Sequence, residues 1–133
     1  MSFNLEIVSP VKSVFQGEVN SVISPGTLGS FQVLKNHAPL ISSFEIGDIK
    51  IESESGIYEF ATSGGVFEVK NNRAVVLAES IESKEEVDVK RARLAKLRAE
   101  EILKSEEASK SEKSEAKQAL QRAENRLKIS EKK

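Results

Sequence analysis

The composition of the chain changes across the segment Glu82–Leu103, ESKEEVDVKRARLAKLRAEEIL, which separates two different kinds of sequence. Before this segment the chain contains Gly, Pro and alternating β-branched and aromatic residues, and after it there is no Gly, no Pro and no aromatic residue. The formal net charge is −5 over residues 1–82 and +4 over residues 83–133. A length of 133 residues suits one domain with an appendage. The sequence therefore predicts two domains, residues 1–84 and 85–133.

The first domain is predicted to consist of short β-strands. Apolar and polar side chains alternate from Phe3 to Val8, a period of two that indicates a half-buried strand. Further short runs follow at residues 11–15, 19–23, 31–34, 40–44, 49–51, 57–61, 66–69 and 74–77. Gly17 and Gly64-Gly65 are expected to turn the chain, the pair with positive φ. Eight to ten strands at this spacing leave no room for helical crossovers, which predicts an all-β sandwich or barrel.

The second domain is predicted to be an antiparallel helical hairpin. At 100° per residue, one arc of the helix after Asp88 carries Ala92, Ala95, Ala99, Ile102 and Leu103. Residues 105–114 are expected to be the connecting turn, and residues 112–129 carry a second stripe of Ala116, Ala119, Leu120, Ala123 and Leu127. Alanine buries little apolar area, so we expect a marginal hairpin with a few large anchors: Leu94, Leu97, Ile102, Leu103, Leu120 and Leu127.

Neither half is expected to contain a catalytic centre or a metal site. The chain has no Cys, and its single histidine, His37, is expected to be a loop residue bonded to backbone. None of the glycines has the spacing of a phosphate-binding loop. Nucleic acid is not expected as a partner, because charges of both signs are interspersed in the tail and no aromatic residue is there to stack on bases. No apolar run approaches the ~18 residues that span a bilayer, and the N-terminus does not resemble a signal peptide, so membrane association is expected only through a partner.

Four arginines form the candidate binding site of the hairpin. Arg91 and Arg98 lie two turns apart at the edge of the first stripe, and Arg122 and Arg126 lie at i and i+4 beside the second. Two interpretations remain open. The arginines are either solvated and paired with Asp88, Glu115 or Glu124, or they surround a bound polyphosphate.

The chain resembles the epsilon subunit of bacterial F-type ATP synthase over its whole length. In the first half the resemblance is carried by Leu5-Glu6-Ile7-Val8-Ser9-Pro10, Val19-Asn20-Ser21-Val22, Pro25-Gly26-Thr27-Leu28-Gly29, Val33-Leu34-Lys35-Asn36-His37-Ala38-Pro39-Leu40, Gly47 and Ser63-Gly64-Gly65. In the second half it is carried by Val87-Asp88-Val89-Lys90-Arg91-Ala92, similar to the nucleotide-binding pattern of the family, and by residues 119–127.

The resemblance implies a ten-stranded β-sandwich followed by a two-helix domain, in a non-catalytic subunit of the central stalk. The sandwich would bind the gamma subunit and the c-ring, with Ser30, Phe31 and His37 as the partner contact loop. The helices would either fold down or extend along gamma towards the alpha and beta catalytic subunits, where they inhibit ATP hydrolysis. The complex would lie on the cytoplasmic face of the bacterial plasma (inner) membrane, to which the chain would be bound only peripherally.

The resemblance also implies that no cofactor is required and that ATP is a regulatory ligand of the folded hairpin. Its contacts would be Glu82, Val87, Asp88, Arg91, Ala92, Arg98, Arg122 and Arg126. Val87 replaces the Ile or Leu of the family pattern, and Ser30 and Gln32 replace the acidic residue and the Gly that are often found in that loop. The alternatives are a stand-alone sandwich adaptor whose hairpin binds another protein, and an enzyme acting on nucleotides.

Overall fold

The computed structural model describes residues 2–131 and divides the chain into two compact units, Met1–Ser83 and Lys84–Lys133. The first unit consists of ten strands: β1 Phe3–Val8, β2 Ser13–Val19, β3 Ser21–Ser24, β4 Phe31–Leu34, β5 Leu40–Phe44, β6 Gly47–Ser53, β7 Gly56–Thr62, β8 Gly65–Lys70, β9 Arg73–Ala78 and β10 Ile81–Ser83. The second contains a short 3₁₀ turn, Lys84–Glu86, and two helices, α1 Val89–Lys104 and α2 Lys110–Glu131. The predicted sandwich and helical hairpin are confirmed.

The strands form two five-stranded sheets. The first sheet has the order β2-β1-β9-β8-β5, and the second has the order β10-β7-β6-β3-β4. Neighbouring strands are antiparallel except β1 and β9, which are parallel. The inward residues of both sheets form one apolar core, in which Phe3, Leu5 and Ile7 of β1 are almost completely buried. The alternation of apolar and polar residues in the sequence therefore corresponds to side chains that face the core and the solvent in turn.

Two details of the strands differ from the sequence prediction. Gly17 does not turn the chain, because it lies inside β2 opposite Leu5, and the turn to β3 falls at Asn20. The short strand β10 was not predicted, since Ile81–Ser83 has too few residues for a periodic pattern. It pairs antiparallel with the end of β7.

Gly64 and Gly65 confirm the predicted turn, with φ angles of +130° and +158°. A Cβ on Gly65 would lie 2.1 Å from the carbonyl oxygen of Leu77, which is closer than any side chain tolerates. Side-chain hydroxyl groups connect this turn by hydrogen bonds to the turn between β9 and β10. Thr62 Oγ1 donates to the carbonyl of Ser80 at 3.0 Å, and the Oγ atoms of Ser63 and Ser80 are 2.6 Å apart.

The second helix begins earlier than predicted. The sequence prediction placed the turn at residues 105–114, but α2 starts at Lys110 and ends at Glu131. The reason is a reciprocal cap, in which the N–H of Glu112 donates to Ser109 Oγ at 3.1 Å and the N–H of Ser109 donates to the Glu112 carboxylate at 3.3 Å. This is the capping box pattern of Ser-x-x-Glu. The true connection is therefore only residues 105–109.

The buried face of the hairpin consists mainly of alanine. Ala92 and Ala99 of α1 and Ala116 and Ala123 of α2 are buried. The prediction that Leu94, Leu97 and Ile102 anchor the hairpin is wrong, because they are 49%, 57% and 38% exposed. Ile129 is buried and was not predicted to be. Small residues allow two helices to approach closely but bury little apolar area, so few large side chains stabilise this packing.

Candidate functional site

Asp88 begins the candidate nucleotide site and has a structural role there. It is the N-cap residue of α1, and its Oδ1 accepts a hydrogen bond of 3.0 Å from the backbone N–H of Arg91. Ala92 N–H donates to the Asp88 carbonyl at 2.9 Å. The Asp88 carboxylate thus satisfies an amide that a helix terminus leaves without a partner.

The four arginine side chains differ in exposure and in their partners. Arg91 and Arg98 are exposed, and Arg122 and Arg126 are half-buried. Among residues 2–131, no carboxylate forms an ion pair with the guanidinium group of Arg91, Arg98 or Arg122. The interpretation in which Arg91 pairs with Asp88 is therefore wrong, because that carboxylate accepts the amide of Arg91 instead. The same holds for the pairing of Arg122 with Glu115 or Glu124.

Distances along the helix axes show which arginines lie at the same level. At 1.5 Å per residue, Ala99 and Ala116 lie about 8–9 Å from the connection, and Ala92 and Ala123 lie about 18–20 Å from it. Arg91, Arg122 and Arg126 all lie near the second level, roughly 18–24 Å from the connection, whereas Arg98 lies near the first. The hairpin thus concentrates three guanidinium groups towards one end and places Arg98 about 10 Å away along the axis. Like charges at one level repel one another, and an anion between them would remove that repulsion.

The other predicted contacts lie on different elements. Val87 is half-buried directly before Asp88, and Ala92 is buried in the alanine face. Glu82 lies in β10 opposite Ala61 and belongs to the first unit. The structure thus places Val87 and Asp88 directly before α1 and Arg91 and Ala92 in its first turn, and it assigns Glu82 to the sandwich.

The predicted partner contact residues do not form one loop. Ser30 precedes β4 and His37 follows it, so a strand of about 10 Å separates them. Phe31 is half-buried, and its ring packs edge to face on Phe67 with centroids 5.1 Å apart. His37 Nδ1 lies 2.7 Å from the carbonyl oxygen of Ala38, which confirms a loop histidine bonded to backbone. Phe31 therefore contributes to the core as well as to this surface.

The sequence prediction missed Leu28, the most exposed large apolar side chain on the sandwich, at 102%. Its loop is fixed by Thr27, whose Oγ1 lies 2.7 Å from Ser43 Oγ and donates to the carbonyl of Ser43 at 3.1 Å. The N–H of Gly29 donates to Gly26 O at 3.1 Å and closes the turn. The sequence Pro-Gly-Thr-Leu-Gly indicates a turn, but it does not show that the leucine in this turn is fully exposed.

The described residues contain no group of three or more His, Asp or Glu side chains placed to bind a metal ion. Within residues 2–131 there is also no helix with the length and hydropathy of a membrane span. The fold and the site define a two-unit chain in which a β-sandwich carries a small helical hairpin with a basic end.

Comparisons with known proteins identify this architecture. A family model described as the ATP synthase delta/epsilon chain, beta-sandwich domain, matches residues 2–84, and one described as its long alpha-helix domain matches residues 85–131. The chain is 41% identical to the ATP synthase epsilon chain of Desulforamulus reducens, with 96% of each chain covered. It is also 41% identical to that of Syntrophomonas wolfei, with 98% of this chain and 96% of the other covered. The chain belongs to the ATP synthase delta/epsilon chain family.

Solved structures agree on the fold. A chain in the Euglena gracilis mitochondrial ATP synthase superposes with a TM-score of 0.83 at 19% identity, covering 93% of this chain and 78% of that one. A chain from the central stalk and c-ring structure of the Tetrahymena thermophila enzyme gives 0.66 at 16% identity, covering 96% and 95%. The predicted epsilon subunit is confirmed by the family and its relatives, and so is the classification as a non-catalytic subunit.

Proposed function

We propose that this chain is the epsilon subunit of the central stalk of a bacterial F-type ATP synthase, and that it inhibits ATP hydrolysis through its helical hairpin. The sandwich binds the gamma subunit and the c-ring. The hairpin opens and extends along gamma to reach the alpha and beta catalytic subunits. The chain lies on the cytoplasmic face of the inner membrane and is attached to it only through the complex.

The observation that supports an opening hairpin is its alanine face. Four of the five buried side chains of α1 and α2 are alanines, Ile129 being the exception, while Leu94 and Leu97 are about half exposed. Each buried CH₂ contributes only about 0.8 kcal/mol, so separating such helices costs little apolar burial. The exposed leucines on α1 are then available to a different surface when the helices separate.

We further propose that ATP binds the folded hairpin without being hydrolysed. Its phosphates lie near Arg91, Arg122 and Arg126, and Val87, Asp88, Ala92 and Arg98 complete the set of contacts. Support comes from the arginines at one level of the hairpin, of which Arg91 and Arg122 form no ion pair with a carboxylate of residues 2–131. At ten times its dissociation constant, ATP would stabilise the folded hairpin by about 1.4 kcal/mol, which is roughly a tenfold change in population.

Calorimetric titration of the full chain with ATP tests the ligand. We expect binding to the wild type and a loss of about tenfold or more in affinity for Arg91→Ala, since a hydrogen bond to a charged group contributes about 1.5–3 kcal/mol. Arg93→Ala is the matched control, because Arg93 is an exposed arginine on the same helix away from the alanine face. Absence of heat with wild type at millimolar ATP would exclude the ligand and leave the stalk assignment intact.

The stalk assignment has its own test. Adding the chain to an ATP synthase preparation depleted of this subunit should restore coupling and lower the rate of ATP hydrolysis. If the chain does not join the complex, the assignment fails whatever its affinity for ATP.

A further inference from the structure

Ile129 lies near the end of α2, where α1 no longer runs beside it. In the described parts of the two helices it is the only buried residue other than alanine, and its side chain is 1% exposed. At 1.5 Å per residue, Ile129 lies about 28 Å along α2 from the connection, whereas α1 reaches only about 22 Å. The burial of Ile129 is therefore separate from the alanine face.

The direction of Ile129 around α2 leads to the same conclusion. At 100° per residue, it lies about 120–140° from Ala123 and Ala116 of the alanine face, but within about 20° of Arg122 and about 60° of Arg126. Arg122, Arg126 and Ile129 thus share one side of α2 at positions i, i+4 and i+7, and we call them the arginine stripe. Along this side, Gln118 is exposed, the two arginines are half-buried and Ile129 is buried.

The end of α2 lies beside the segment that leads into α1. Helix α2 packs against the 3₁₀ turn Lys84–Glu86, and both belong to the second unit. This turn is followed directly by Val87 and Asp88, the first residues of the candidate nucleotide site after the sandwich. The last turn of α2 is closed by Ser130, whose Oγ donates to the carbonyl of Leu127 at 2.8 Å and so satisfies a carbonyl that a helix end leaves without a partner. The arginine stripe therefore ends in an ordered turn.

A single large buried side chain has a strong influence on such a helix end. Helix termini fray unless packing stabilises them, and alanine contributes little apolar area for that purpose. Arg126 is one turn from Ile129 and Arg122 is two turns from it, so loss of this packing would free both guanidinium groups. A guanidinium group binds phosphate best through two parallel hydrogen bonds, which require a fixed orientation. An ordered arginine also loses less side-chain entropy when it binds.

We propose that Ile129 is a positioning residue of the nucleotide site. Its burial fixes the rotation of the last two turns of α2 and thereby holds Arg122 and Arg126 towards the phosphates. The inference rests on the proposed binding of ATP to the folded hairpin, and Ile129 acts through the helix rather than by contact with the nucleotide. This role differs from merely keeping the hairpin closed, which would change the affinity by the same factor whichever other residue is altered.

Calorimetric titration of full-length variants with ATP measures the effect. Ile129→Ala should weaken ATP binding at least about tenfold, and Ile129→Val, which removes one methyl group, by about threefold or less. Leu97→Ala removes as many carbon atoms as Ile129→Ala at a site that is 57% exposed, and should bind ATP like wild type. Equal affinities of Ile129→Ala and wild type would overturn the proposal.

Double variants separate positioning from simple opening of the hairpin. In the background of Arg126→Ala, Ile129→Ala should cost about threefold or less, because one of the groups that it positions has already been removed. In the background of Arg91→Ala, on the other helix, the two losses should multiply. If they multiply in both backgrounds, Ile129 only keeps the hairpin closed and the proposal is overturned.

The outcomes distinguish this inference from the function on which it rests. If wild type gives no heat with ATP at millimolar concentration, the nucleotide site is wrong and the positioning role is wrong with it. If wild type binds ATP and Ile129→Ala binds it equally well, only the positioning role is wrong. Hydrogen exchange in residues 2–83 that matches wild type shows that the variant is folded. If Ile129→Ala loses its helical circular dichroism, the same double variants are made with Ile129→Val, and the same comparison decides.

Discussion

The carboxylate of Asp88 accepts a hydrogen bond of 3.0 Å from the backbone N–H of Arg91, so two residues of the candidate nucleotide site are joined through the helix cap. The bond fixes the start of α1 directly after Asp88. Any ligand contact made by Asp88 is therefore added to a structural role that the residue already has.

Replacing Asp88 separates these two roles. Asp88→Ala should destabilise α1 by about 1 kcal/mol, because it removes the acceptor for an unpaired amide. Asp88→Asn retains an acceptor oxygen and should change helix stability much less. Hydrogen exchange at the first turn of α1 measures the difference. Equal protection in both variants would show that the cap contributes nothing, and weaker ATP binding by Asp88→Asn with intact protection would identify a charge contact.

The sandwich was predictable because its pattern is short-range. Alternation at Phe3, Leu5 and Ile7 reports directly which side chains face the core. The strand β10 was not predictable, because its three residues include only one apolar side chain and so show no alternation of apolar and polar residues. The proximity of three outward-facing apolar side chains on the first sheet was beyond sequence reasoning for a different reason. Val8, Val66 and Leu77 are distant in the chain, and only strand register makes them neighbours.

The hairpin shows where periodicity gives an ambiguous answer. Helix α1 has an alanine arc and a separate set of leucines, and the sequence alone does not say that Ala92 and Ala99 are buried while Leu94 and Leu97 are exposed. The start of α2 was predictable in principle, because Ser109 and Glu112 have the spacing of a capping box. The residues of the candidate site were predicted from the sequence. The position of each arginine along the hairpin axis could be derived only once the structure gave the length of the connection between the helices.

The alanine face predicts how the stability of the hairpin responds to a change in side-chain size. Ala123→Leu should destabilise the helical packing by about 1–3 kcal/mol, because a fully buried alanine has no room for a larger side chain. Leu97→Ala should change stability by no more than about 0.5 kcal/mol, as expected for a surface site. Unfolding followed by far-UV circular dichroism checks both. A large loss for Leu97→Ala would mean that the leucines do anchor the hairpin.

Two glycines of the sandwich should behave in opposite ways. Gly65→Ala should destabilise the first unit strongly, by about 2 kcal/mol or more, because the new Cβ meets a backbone carbonyl and the φ angle is one that L-residues rarely adopt. Gly17→Ala is the control, since its Cβ would meet only the ring of Phe15 at 3.9 Å. It should be neutral or stabilise by up to about 1 kcal/mol. Comparable destabilisation by both would contradict this account of the β7–β8 turn.

A disulfide between the helices tests whether the hairpin must open to inhibit. Ala99 and Ala116 are both buried and lie at the same level from the connection, so cysteines there should bond under oxidation. The bond removes the extended state, and hydrolysis by the reconstituted complex should rise to the rate measured without this chain. Reduction should restore inhibition, while Ala99→Cys alone should respond to neither treatment. If the bond forms, as a gel shift reports, and hydrolysis stays inhibited, opening of the hairpin is not the inhibitory step. In that case the exposed face of the closed hairpin, with Leu94 and Leu97, becomes the surface to mutate.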